Sequence, residues 1–177
     1  LTIIKNAEDQ IHESYPGFDI TKVDITDSAT YDTICAGKCD GVFQLESSGM
    51  KQMLTQLKPR TLEDIIAAIA LYRPGPMDSI PKYIEARHDK SKIHYCTPLL
   101  APILDVTYGC IVYQEQVMQI FREIAGYSFG HADVVRRAIS KKKQGVLDGE
   151  KQAFLEGAVA RGIDKNDAEQ LFGDIVS

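Results

Sequence analysis

The residues best placed to do chemistry lie in Tyr127 to Lys143, YSFGHADVVRRAISKKK. At helical spacing Asp133, Arg136, Arg137, Ser140 and Lys141 share one face, and Val134, Val135, Ala138 and Ile139 share the other. A packed helix would therefore hold two guanidinium forks in fixed directions. Lys142 would project from the apolar face if the helix ran on, so the helix is expected to end near Ser140 and to leave Lys141, Lys142 and Lys143 in a loop. Arginine makes forked hydrogen bonds to phosphate oxygens and keeps its charge at physiological pH, while lysine adds a less directional cation. The chemistry on offer is anion binding, phosphate above all. Basic runs are also common on solvated surfaces, and from the residues alone both readings stand.

The other chemistries lack their residues. No serine, cysteine and histidine set has nucleophile spacing, and neither a P-loop nor a dinucleotide fingerprint occurs. The carboxylates that sit close together, Glu63 with Asp64 and Asp24 with Asp27, fall at helix starts, where capping explains them. Cys35, Cys39, Cys96 and Cys110 have no CxxC spacing and are expected to be reduced thiols, mostly buried. His88, His94 and Cys96 are too few for a finger-like metal site, and no metal ligand set is expected.

Charge sharpens the location of the anion site. The 177 residues carry a formal net charge of −5, divided as −5 over 1–33, +4 over 34–143 and −4 over 144–177. The protein as a whole is not basic, but its centre is. The longest apolar run, Ile65 to Tyr72, is too short to span a bilayer, and the charged, amphipathic first residues do not resemble a signal peptide. A cytoplasmic location with no membrane partner follows as the expectation.

The elements that must position the arginines read as mostly helical. Leu1 to Glu13 has helical periodicity without a preceding cap. With no initiator methionine, and an end soon after Leu171 and Phe172, the chain is expected to be a segment of a longer protein. Phe18 to Val23 is expected to run extended. Asp27 caps a helix over Ala29 to Ala36, closed by Gly37. GVFQLESSGM predicts a short strand-like piece before a helix capped by Ser47 or Ser48, with Met50, Met53, Leu54 and Leu57 buried and Pro59 beyond its end. Gln44 and Glu46 in that piece are either solvated or capping groups, or polar groups at a cleft.

Thr61 and Asp64 cap Leu62 to Tyr72, a helix apolar nearly all round and so expected to be central. The stiff RPGP turn at Arg73 to Pro76 follows, then a helix from Asp78 or Ser79, a mixed surface over Lys82 to Lys92 with His88 and His94 beside it, and a short helix from Thr97 to Leu104. YGCIVY, Tyr108 to Tyr113, is the best strand candidate. A helix from Gln114 buries Val117, Ile120, Phe121, Ile124 and Ala125 and ends at Gly126, with Glu115 complementing its dipole. Phe154, Leu155, Ala158 and Val159 mark another helix, closed by Gly162, and Asp164 with Asp167 starts the last. The expected class is mainly α, an irregular multi-helix domain with one or two short β segments.

GVFQLESSGMK, ALYRPGP, YGCIVYQEQVMQI and ADVVRRAISKKK, in this order, resemble the bacterial replicative DNA polymerase III alpha subunits of the C family, DnaE type; YRPGP is unlike the PolC branch. The resemblance covers essentially the whole chain. It implies the fingers region, which closes over an incoming deoxynucleoside triphosphate (dNTP), with 1–40 a connecting segment from the palm, 41–143 the fingers core and 144–177 outer packing helices. It matches Arg136 and Arg137 to the paired arginines that contact the triphosphate, with Lys141, Lys142 and Lys143 as supporting charge. The catalytic aspartates, and the Mg2+ they hold, are expected upstream of Leu1, so the chain alone is expected to be inactive. The implied partners are the dNTP, primer-template DNA, and other replicase subunits with a sliding clamp reached through regions outside this chain. The chain departs from the family's usual glycines at His131, Ser140 and Asp89. The competing expectation is a noncatalytic helical module that binds nucleic-acid backbone or serves as an interaction scaffold.

Overall fold

Two separate apolar cores hold the protein together, and the arginine segment belongs to the second. The computed structural model describes residues 1–176, and all regular structure among them is helical. The short β segments expected at 41–46 and 108–113 are not formed. In the first, two consecutive turns close the backbone, with the Val42 N–H bonded to Cys39 O and the Leu45 N–H to Val42 O, and Gly41 and Gln44 take left-handed φ values of 74° and 65°. In the second, Tyr108 and Gly109 are left-handed, and the Val112 and Tyr113 N–H groups that a ladder would need both donate to Gln116 Oε1.

The helix carrying that glutamine, α7 (Gln114–Ala125), therefore organises the segment before it. Gln116 is buried, and its Nε2 donates to Ile103 O at 3.1 Å and to Thr107 Oγ1 at 2.7 Å. Gln116→Leu would leave the Val112 and Tyr113 N–H groups without their acceptor, while Thr107 Oγ1 keeps its bonds to Leu104 O and Cys110 O. The expected loss is about 2 kcal/mol of unfolding free energy, read from urea denaturation, against a change within about 0.5 kcal/mol for an exposed glutamine such as Gln119.

The first core is built by α2 (Ser28–Cys35), α3 (Ser48–Leu57), α4 (Leu62–Leu71) and α5 (Ile80–His88). Asp27 caps α2, Ser47 caps α3, and Thr61 with Asp64 forms a reciprocal box on α4, as their types and spacing predict. Met50, Met53, Leu54 and Leu57 are buried together with Ala67, Ala68 and Leu71. α4 is not covered all round as its composition suggests: Ile66 is 48% exposed and Leu62 40% exposed, while Ala67, Ala68 and Leu71 are buried and Ile65 and Ile69 pack partly against the same core. Ahead of this core, α1 (Thr2–His12) buries no residue. The stretch after it is not extended throughout, since Asp19 caps a 3-10 turn over Ile20–Lys22.

The second core joins α6 (Ala101–Leu104), α7, α8 (Phe129–Ser140), α9 (Gln144–Ala160) and α10 (Lys165–Val176). Phe121 is its centre, with edge contacts to Phe154 and Phe172 at ring-centroid distances of 5.0 and 6.3 Å. Gly126, at φ 78°, ends α7 and lets the chain turn straight into α8.

Candidate anion-binding site

Helix α8 is anchored at its start before its arginines come into play. At its start the Ser128 hydroxyl accepts from the His131 N–H, and the His131 ring stacks on Tyr127 with centroids 4.3 Å apart. His131 Nε2 lies 2.9 Å from Glu150 Oε1, and the Tyr127 hydroxyl donates to Glu150 Oε2 at 3.0 Å. Burial, together with that hydrogen bond to the carboxylate, raises the Tyr127 pKa, which keeps the phenol protonated as a donor. His131 thus ties α8 to α9.

Along its length α8 buries Ala132, Val135 and Ala138. This stripe is narrower than the residue types suggest: Val134 is 57% exposed and Ile139 only partly covered, because Val134 is turned away from the line through 132, 135 and 138. The helix ends at Ser140, whose hydroxyl donates back to Arg136 O at 3.1 Å. Lys141, Lys142 and Lys143 follow in a turn, with Lys142 left-handed at φ 49°, and all three are exposed. Their ammonium groups have no ion-pair partner among the described residues.

Arg136 and Arg137 lie on one face, and a single carboxylate holds both. Arg136 donates from Nε and Nη2 to Asp133 Oδ1 at 3.0 and 2.7 Å, and Arg137 Nη2 pairs with Asp133 Oδ2. Arg136 also donates from Nη1 to Gln114 Oε1 at 2.6 Å. The hydrogen bonds from Arg136 first, and then Arg137, outweigh the partial burial of Asp133 and hold its carboxyl below the usual carboxylate range. Three charged groups of net charge +1 are therefore clustered beside the exposed lysines.

Gln114 has no role as an arginine partner in the sequence reading. Its signal was the equal length of two helices: α7 and α8 have 12 residues each and are joined by three, so they fold back antiparallel and the first turn of α7 meets the last turns of α8.

Other candidate residues are dispersed. His88 Nε2 is 2.9 Å from Gln56 O, and His94 and Cys96 are exposed. Cys39 and Cys110 are buried and Cys35 is half-buried; all four thiols are free. Gln44 and Glu46 are exposed in the turns at 41–46. Among the described residues there is no group of three or more His, Cys, Asp or Glu side chains placed to hold a metal ion, so they do not fit a Mg2+ site. No described helix is long and apolar enough to cross a membrane.

The comparisons with known proteins agree with the quoted motifs. The family described as bacterial DNA polymerase III alpha subunit finger domain matches residues 1–162. A DNA polymerase III subunit alpha of Staphylococcus aureus is 49% identical over 154 residues, covering 87% of this chain and 14% of that protein. The protein of the same name in Halalkalibacterium halodurans is 45% identical over 177 residues, covering 99% of this chain and 16% of that protein. The chain thus spans about one-seventh to one-sixth of the length of these relatives.

Proposed function

The chain belongs to the finger-domain family of bacterial DNA polymerase III alpha subunits, and from that premise we propose that it is the fingers segment of a replicative DNA-directed DNA polymerase. In that role it binds the triphosphate of the incoming dNTP and closes over the active site during template-directed synthesis. The observation that carries this reading is the Arg136 and Arg137 pair, held side by side on a helix anchored in the second core. Phosphoryl transfer demands in-line positioning and neutralised phosphate charge more than covalent help from the protein. Guanidinium groups on a packed helix meet the first demand by direction and the second by charge. Lys141, Lys142 and Lys143, exposed on the adjoining turn, add positive potential that draws the triphosphate in.

Closure would bring these cations to the phosphates only when the nucleotide fits, coupling selection to chemistry. The reacting carboxylates, and the Mg2+ they hold, belong to the longer protein outside this chain, as do the surfaces for other replicase subunits and the sliding clamp. Primer-template DNA and dNTP are the substrates, and the setting is the cytoplasm. This chain by itself has no polymerase activity on this reading.

Primer extension by the longer polymerase is the test. Arg136→Ala and Arg137→Ala are each expected to raise the apparent KM for dNTP by about tenfold, with primer-template affinity at low salt within about twofold of the parent. Unchanged KM and kcat in both variants would sink the assignment. Loss of DNA affinity with unchanged dNTP dependence would instead support backbone binding without a nucleotide role.

A further inference from the structure

The two arginines are held unequally. Arg136 is 22% exposed and bonded on two sides, to Asp133 through Nε and Nη2 and to Gln114 through Nη1. Arg137 is 66% exposed, and among the described residues its only side-chain partner is Asp133 Oδ2. An exposed ion pair with one partner is held weakly, whereas a guanidinium bonded at both ends and partly covered has a set orientation. A carboxylate accepts from a guanidinium fork much as a phosphate does, so it can occupy the place a phosphate would take.

We propose that Asp133 is a positioning residue that acts through both arginines, in two halves. Oδ1, with Gln114 Oε1, keeps Arg136 aimed; Oδ2 holds Arg137 only until a triphosphate takes it. The proposal rests on the dNTP-binding reading above. Arg136 then meets the nucleotide with its ordering cost already met, and Arg137 changes partners, from a carboxylate carrying one negative charge to a more highly charged phosphate group. Because Asp133 competes for Arg137 and repels phosphate, it weakens binding of the open-state nucleotide. Because it orients Arg136, it favours the reacting complex. The same side chain therefore raises both KM and kcat, two effects that oppose each other in kcat/KM.

Steady-state incorporation by the full-length polymerase separates these effects. Asp133→Asn keeps an acceptor for Arg136 but removes the counter-charge, and it is expected to lower the apparent KM for dNTP about threefold with kcat within about twofold. Asp133→Ala removes the acceptor as well and is expected to lower kcat about tenfold, with Asp133→Asn standing as the conservative rescue. Thermal unfolding of both variants should stay close to the parent. The proposal is overturned if Asp133→Asn leaves KM unchanged or raises it, or if both variants lose kcat together in step with lost thermal stability. Arg137→Ala, run alongside, distinguishes two failures. Unchanged KM and kcat in that variant and in Arg136→Ala alike sink the nucleotide-binding reading itself, while a raised KM beside an unresponsive Asp133→Asn sinks only the role of Asp133.

Discussion

Replacing Asp64 with alanine is expected to cost about 3–5 kcal/mol of folding stability and to lower the thermal midpoint by about 10 °C. Asp64 is 4% exposed and receives four hydrogen bonds. Two come from Arg87, from Nε to Oδ1 and from Nη2 to Oδ2, both at 2.7 Å; two come from the backbone N–H groups of Arg60 and Thr61, at 2.8 and 3.2 Å. One carboxylate thus closes the start of α4 and neutralises an arginine on α5 whose side chain is only 15% exposed. Removing it strands that guanidinium and two backbone donors at once. Burial raises the Asp64 pKa, but the bonds from Arg87, Arg60 and Thr61 outweigh burial, so the folded-state value lies below the ordinary one. The contribution is therefore fully present above the unfolded carboxylate pKa and is lost as pH falls through the folded value. The stability gap between the parent and Asp64→Asn should narrow in acid, as followed by urea denaturation across pH. Replacing Asp64 and Arg87 together by leucine should cost clearly less than Asp64→Ala, since no charge is left buried alone. A loss below about 1 kcal/mol for Asp64→Ala would show that water compensates Arg87.

The capping half of that arrangement was legible in the chain and the pairing half was not. Thr61 and Asp64 stand three apart before an apolar run, a local pattern with a local cause. Arg87 is 23 residues further on, and only the packing of α5 beside α4 brings it to the carboxylate. The same division holds at the candidate site. The shared face of Asp133, Arg136 and Arg137, and the end of α8 at Ser140, follow from 3.6-residue periodicity. The two-sided bonding of Arg136 depends on the antiparallel return of α7, which no residue spacing within α8 encodes. YGCIVY was misread because β-branched and aromatic residues fit a half-buried extended segment, whether or not a partner strand exists. Here the hydrogen-bonding capacity goes to the side chain of Gln116, three to four residues downstream, and tertiary context overrides the local preference. The family resemblance and the comparisons then agree on what the assembled segment is, where residue chemistry alone leaves a solvated basic face and an anion site both open.

The sign of a glycine-to-alanine change in α9 should reverse within the helix. At Gly149 an added Cβ meets nothing within 4 Å, so Gly149→Ala is expected to stabilise by about 0.5–1 kcal/mol through helix propensity alone. At Gly157 the same Cβ would lie 2.1 Å from Ala125 O and 2.8 Å from Ala125 C. These are backbone atoms in the last turn of α7, so no rotamer change relieves the overlap. α9 would have to back away from α7, loosening the Phe121 and Phe154 edge contact on which the second core is centred. The propensity gain of about 1 kcal/mol is outweighed, and Gly157→Ala is expected to destabilise by about 3 kcal/mol net. The strain would also reach function, because α9 carries Glu150, which anchors the start of α8 through Tyr127 and His131. Chemical denaturation of the two variants side by side decides the matter. If Gly157→Ala matched Gly149→Ala in sign, α7 and α9 would not be packed as closely as Gly157 permits, and the arginine helix would lack the rigid support on which its proposed role depends.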